Sequence, residues 1–268
     1  MSLYHGAAGV DHLEQLAGGN SPVHRLHPGA KICTTLVYMV TVISFPPWNI
    51  SAVMPFFFYP AVLMSLSGTS WRSLLVRLCA ALPFSLAGGI SNLFILKETA
   101  FYLGSFPVSF GLLSFVSIML KTTFTVFAVL ILIATTFFVD ICRQLTSMGM
   151  PKILCLQMVM TYRYIATLIH EAASMFTAYM LRAPRQRGIK MKDMGSFLGQ
   201  LLLRSFDRAD RVYQAMRCRG FGGIYRGAAL QPSRPSDWVY TIAVCGGMIC
   251  LRFFNLSLFL GRLTGKLK

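Results

Sequence analysis

Five stretches of the chain are almost continuously apolar, and between the fourth and fifth the pattern becomes one-sided over about a hundred residues. A helix needs about 20 mainly apolar residues to cross the hydrocarbon core. The runs at 30–45, 50–67, 78–96, 110–139 and 238–260 therefore predict about five transmembrane helices. Pro46-Pro47-Trp48-Asn49 separates the first two and Ser67-Gly68-Thr69-Ser70-Trp71-Arg72 ends the second, both turn-rich and each with an interfacial aromatic residue. Antiparallel helical hairpins follow from these short connections.

The one-sided region predicts three further helices. A short one covers 140–148, and Gly149-Met150-Pro151 ends it and starts a long one over 153–182. Along the long helix Met158, Ile165, Ala172 and Tyr179 recur at heptad spacing beside Leu168, Met175 and Phe176, while Arg163, His170 and Glu171 interrupt the other faces. At 1.5 Å per residue it runs about 45 Å, so it is expected to pack along protein or lie on the bilayer surface rather than cross as a simple span. The third helix, 194–219, puts Leu198, Leu202, Phe206, Ala209, Val212, Tyr213 and Met216 on one side and Arg204, Asp207, Arg208 and Arg211 on the other. Asp207 and Arg211 are spaced for an i,i+4 ion pair. The two long helices are expected to bury their stripes against each other.

Composition fixes the class. With 55% hydrophobic and 13% charged residues and a mean hydropathy of +0.59, this is an all-α integral membrane protein. The net charge of +16 does not imply nucleic acid, because the basic residues flank and separate the apolar runs. Assigning sides by these residues puts His24, Arg25, Lys31, Arg72, Arg77 and everything from Asp140 inside, with Pro46–Asn49 and Lys97–Pro107 outside. The fifth span then places Arg262, Lys266 and Lys268 outside, against the rule; the fifteen Lys and Arg between Asp140 and Arg234 outweigh them. The amino terminus has no basic segment followed by an apolar one, so no cleavable signal is expected. Seven cysteines without a C-x-x-C pair signal neither a disulfide framework nor a zinc site.

Candidate chemistry within the spans is sparse. Lys121 and Arg252 fall inside predicted spans, where each charge costs about 2.5–3.5 kcal/mol on insertion scales. Snorkelling or pairing with a carboxylate competes there with a functional role. No span carries the acidic residues of a proton relay or cation pathway. His24 and His27 stand beside Pro28 and His5 and His12 lie in a polar tail, so no metal site is expected on this chain. No phosphate-binding loop is present, so the chain is not expected to hydrolyse ATP itself.

The most specific signal is a repeated ending. Arg185-Gln186-Arg187-Gly188 and Arg217-Cys218-Arg219-Gly220-Phe221 each close an amphipathic helical pattern. Arg complements the negative end of the helix dipole, and Gly just beyond it takes the left-handed conformation that stops the helix. Simple capping explains one such ending. Two of them on consecutive helices present guanidinium groups suited to bidentate bonding with carboxylates on a partner.

At these residues the chain resembles the transmembrane T component of an energy-coupling-factor (ECF) transporter, the CbiQ/EcfT family, most closely its cobalt-type members. That family ends its coupling helices in Ala-Arg-Gly-like triplets; here they read Gln186-Arg187-Gly188 and Cys218-Arg219-Gly220, without the Ala. Leu26-His27-Pro28-Gly29-Ala30-Lys31 is similar to the family's amino-terminal motif, and 201–216 running into Arg219-Gly220-Phe221 looks like the cobalt-type members. The resemblance implies a scaffold of three parts: residues 1–139 with four spans, a cytoplasmic coupling domain at 140–235, and a last span with its tail at 236–268. It also implies an inner (plasma) membrane location with a cytoplasmic amino terminus. The implied partners are a pair of ABC-type ATPases docking on the two triplets, and a substrate-binding membrane subunit with or without a small accessory subunit. Cobalt or nickel is the implied cargo. Rival readings are a self-sufficient channel or secondary carrier with a regulatory insertion, and a membrane anchor for an unrelated complex.

Overall fold

In a computed structural model the described residues are 17–47, 49–68, 71–95, 99–103, 106–183, 186, 188–223 and 232–253. Trp48, Thr69, Ser70, Arg187, the polar-tail histidines His5 and His12, and the carboxyl-terminal Arg262, Lys266 and Lys268 lie outside them. The chain folds as two compact units, one formed by residues 17–137 with 232–253 and the other by 138–223.

The first unit holds α1 (Pro28–Ile43), α2 (Ile50–Val53), a 3-10 turn (Met54–Phe57), α3 (Phe58–Ser67), α4 (Trp71–Ile95), α5 (Phe110–Thr135) and α9 (Pro235–Phe253). Three stretches here are long and apolar enough to cross a membrane, 50–67, 74–93 and 110–135, and α1 is a shorter apolar helix. The predicted third span begins seven residues too late, because Arg72 and Arg77 mask the start of a helix that opens at Trp71. The loop expected at 97–107 contains an antiparallel hairpin, β1 (Thr99–Leu103) against β2 (Phe106–Ser109), with Leu103 paired to Phe106. Its Ser109 side chain then accepts from the Leu112 N–H at 3.3 Å and caps α5.

Pro60 shapes the second span. It has no N–H to give the carbonyl four residues earlier, Phe56. The Tyr38 hydroxyl on α1 donates to that carbonyl at 3.0 Å, replacing the missing helical bond. Around this point Tyr38, Val42, Phe45, Val53, Phe56 and Phe124 form the larger of two buried clusters; Leu63, Leu74, Ile131 and Ala134 belong to the other. The helices α4 and α5 pack closely through small residues. A Cβ on Gly89 would stand 2.7 Å from the Phe115 ring, and Asn92 Nδ2 donates to Ser114 Oγ at 2.9 Å.

The predicted amino-terminal motif has a structural use. His27 Nδ1 accepts from the Gly29 N–H at 3.1 Å, Pro28 occupies the first turn, and Lys31 is 6% exposed. Its ammonium donates to the Thr135 carbonyl at 2.8 Å and the His24 carbonyl at 3.2 Å, meeting the negative end of α5. Lys121 and Arg252 are treated in the same way at the other helix end. Lys121 donates to the Phe45 carbonyl, and Arg252 Nη2 lies 3.2 Å from the Ser44 carbonyl, so neither pairs with a carboxylate among the described residues.

The second unit holds α6 (Phe138–Ser147), α7 (Lys152–Arg182) and α8 (Met191–Cys218). Buried Cys142 on α6 and buried Cys155 on α7 mark where the two helices pack, and Phe138 stacks on Tyr162 with centroids 4.7 Å apart. By length and composition α7 also could cross a membrane. Its middle, however, carries Arg163, His170 and Glu171, and Glu171 pairs with Arg204 of the polar helix α8.

Candidate functional site: two glycine-terminated helix ends

The second ending is the better defined. Arg219 is the C-cap of α8, Gly220 follows at φ +81°, the Gly220 N–H donates to the Arg217 carbonyl at 2.9 Å and the Phe221 N–H to the Met216 carbonyl at 3.0 Å. These two bonds make a Schellman motif, in which the left-handed residue and the one after it satisfy the last helical carbonyls. Phe221 and Met216, both half-buried, occupy the positions of its usual apolar contact. Cys218, Arg219 and Gly220 are exposed, and the Arg219 side chain has no partner among the described residues. The sequence thus stops the helix by a backbone device that leaves the guanidinium uncommitted. Leu145, Thr146, Gly149 and Met150 repeat the same pair of bonds at the end of α6.

The first ending is built by side chains. The Ala183 N–H closes α7 on the Tyr179 carbonyl at 3.0 Å, and Gly188 stands at φ +94°. Gln186 Oε1 is 2.8 Å from the Tyr179 hydroxyl and Asp193 Oδ2 is 2.7 Å from the same hydroxyl. Tyr179 therefore ties the last turn of α7, the turn residue Gln186 and the first turn of α8 together. Hydrogen bonding to Asp193, aided by desolvation, raises the Tyr179 hydroxyl above the usual phenol value, so it remains a donor. Arg187, between Gln186 and Gly188, lies outside the described residues.

The stripes behind the endings differ from expectation. On α7 the most buried positions are Cys155, Leu156 and Ala173; Met158, Ala172 and Tyr179 are half-buried and Ile165 is exposed. One residue later, Ala173 is buried, while Val159, Ala166 and Met180 are half-buried like Met158, Ala172 and Tyr179. On α8 no residue is buried. Leu201, Ser205, Val212 and Met216 are half-buried, whereas Leu198, Leu202 and Ala209 are exposed together with Phe206 and Tyr213, Leu202 at 55% and Phe206 at 60%. The two stripes do not cover each other. The side-chain contacts between the two helices among the described residues are polar: the Arg204–Glu171 ion pair and the Tyr179–Asp193 hydrogen bond. The predicted Asp207–Arg211 pair does not form among the described residues.

Three of these contacts were missed in the sequence. Asp193 is an acidic residue in the first turn of a helix, which is a readable signal. The use of Tyr179 as a hydrogen-bond hub and the reach of Arg204 to Glu171 depend on how the helices turn back, and no local pattern gives that. The histidines act locally: His27 caps α1, and His24 Nδ1 lies 2.7 Å from Ser21 Oγ.

The comparisons with known proteins agree with one another. Residues 19–229 match the CbiQ family, described as cobalt transport protein. An energy-coupling factor transporter transmembrane protein EcfT of Acidaminococcus fermentans is 29% identical over 265 residues, covering 92% of this chain and 96% of that protein. The EcfT of Thermosediminibacter oceani is 26% identical over 223 residues, covering 78% and 83%.

Proposed function

We propose that this chain, which belongs to the CbiQ family of energy-coupling-factor transmembrane components, carries the stroke of a pair of partner ABC-type ATPases to a substrate-binding membrane subunit. The observation that carries the reading is the end of α8, where a Schellman turn stops the helix and leaves Arg219 exposed on a rigid rod. A guanidinium so held can enter an acidic groove without a further loss of backbone freedom. Arg187, preceding Gly188 in the first ending, is assigned the same role. Gln186 and Cys218 stand where the family's Ala would be, and of the two only Gln186 bonds the helix behind it, through the Tyr179 hydroxyl.

In this reading ATP and Mg are bound by the ATPases, and the second unit lies on the cytoplasmic side of the plasma membrane together with the amino terminus. The excess of positive charge in residues 140–234 supports that side. The open apolar stripe of α8, Leu198, Leu202, Phe206 and Tyr213, is the surface on which the substrate-binding subunit rests. Cobalt, with nickel beside it, is the proposed cargo, in keeping with the description of the matched family.

Proteoliposomes test the scheme against a self-sufficient channel or carrier. Vesicles holding this chain with the ATPases and the substrate-binding subunit should accumulate labelled cobalt only when ATP is supplied, and vesicles holding this chain alone should not. Cobalt flux through the isolated chain would overturn the proposal.

A further inference from the structure

Two cations inside the membrane unit, Lys121 and Arg252, converge on one place. From α5, Lys121 Nζ donates to the Phe45 carbonyl. From α9, Arg252 Nη2 reaches the Ser44 carbonyl at 3.2 Å and Ser44 Oγ at 3.3 Å, with its guanidinium carbon 4.5 Å from the centre of the Phe45 ring. Both charges therefore gather at the carboxyl end of α1, which supplies roughly half a negative charge. About one and a half positive charges are left over by that reckoning.

Among the described residues no carboxylate lies near to balance them. The one carboxylate among the described residues of this unit is Asp237, about 22 Å before Arg252 along α9, where it accepts from the Arg234 N–H at 2.9 Å. Two protons of the Lys121 ammonium, and the Nε and Nη1 groups of Arg252, have no acceptor among the described residues. The site is a pair of cations with donors to spare, held by three helices.

Its depth indicates the ligand. Helix α1 has 16 residues, so it is about 24 Å long against a hydrocarbon core of about 30 Å. A span that is too short draws the bilayer surface towards its end, and charged side chains in a span do the same by local thinning. The anion that such thinning delivers is a lipid phosphodiester. We infer that Lys121 and Arg252 bind the phosphate of a net-anionic phospholipid at the end of α1, and that the bound lipid holds α1, α5 and α9 together there. A zwitterionic lipid is the poorer ligand, because its own cation would face the pair.

The test is native mass spectrometry of the full chain in detergent, titrated with phosphatidylglycerol or phosphatidylcholine. The wild type should bind phosphatidylglycerol at least about tenfold more tightly, and millimolar inorganic phosphate should not displace it. Joint replacement Lys121→Gln with Arg252→Gln should abolish the preference, whereas Lys121→Arg with Arg252→Lys should keep it. Equal binding of the two lipids by the wild type, an unchanged preference in the neutral double variant, or displacement by inorganic phosphate would each overturn the inference; the wild-type comparison holds whether or not the variants fold.

Discussion

Tyr179 stands 2.7 Å from Asp193, hydroxyl to carboxylate, and so fastens the last turn of one long helix to the first turn of the next. The same hydroxyl is 2.8 Å from Gln186, so a side chain of the long helix also holds this residue of the turn.

Tyr179→Phe keeps the ring and removes the hydroxyl. Amide exchange over residues 186–193 should rise several-fold while the middle of α7 is unchanged. The pH dependence has a definite sign. Because the hydroxyl is raised above its ordinary 10.0, the contact is fully present below about pH 10 and is lost as pH rises through the raised value. Exchange in the wild type that did not change until the whole chain unfolded in alkali would contradict this.

The Tyr38–Phe56 bond predicts a coupled pair. Tyr38→Phe leaves a buried carbonyl unsatisfied and should cost about 1–3 kcal/mol, read as a fall in thermal midpoint in detergent. Pro60→Ala restores a helical N–H to Phe56. In the combined variant most of the Tyr38→Phe penalty should disappear, and strict additivity would argue against the exchange of donors.

Lys31 is buried and gives charged hydrogen bonds to the Thr135 and His24 carbonyls. Lys31→Met should cost about 1.5–3 kcal/mol for each bond lost, seen as a lower melting temperature, with Lys31→Arg milder. Equal stability of Lys31→Met and wild type would remove the ammonium from the account.

Gly220 has open space around its Cβ position but a φ of +81°. Gly220→Ala should therefore strain only the backbone, by about 1–2 kcal/mol, and fray the end of α8. Hydrogen exchange at 216–221 measures it directly, and Gly220→Asn should be milder than Ala.

These examples show which parts of the fold can be read from residues alone. Three of the apolar runs coincide with helices long and apolar enough to cross a membrane among the described residues, α1 being shorter, and Gly149 and Gly220, each following a helical period, marked ends that are terminated as expected. The burial along α7 could not be read, since Ile165 and Ala173 both belong to apolar rows of the helix yet one is exposed and the other buried. Nor could the partners of Lys121 and Arg252, because a carbonyl freed at a helix end has no sequence signature. The stripe on α8 was legible as apolar, but its exposure was not. A pattern records that a face seeks cover without naming what covers it.

The central claim is that Arg187 and Arg219 dock the ATPases, and retention of those subunits on the purified complex tests it most directly. Removing one member of a buried charge pair costs about 2–5 kcal/mol, so Arg219→Glu should weaken retention about 30-fold or more. Arg187→Glu combined with Arg219→Glu should abolish both retention and ATP-dependent uptake. Full retention and unchanged uptake in the double variant would contradict the account.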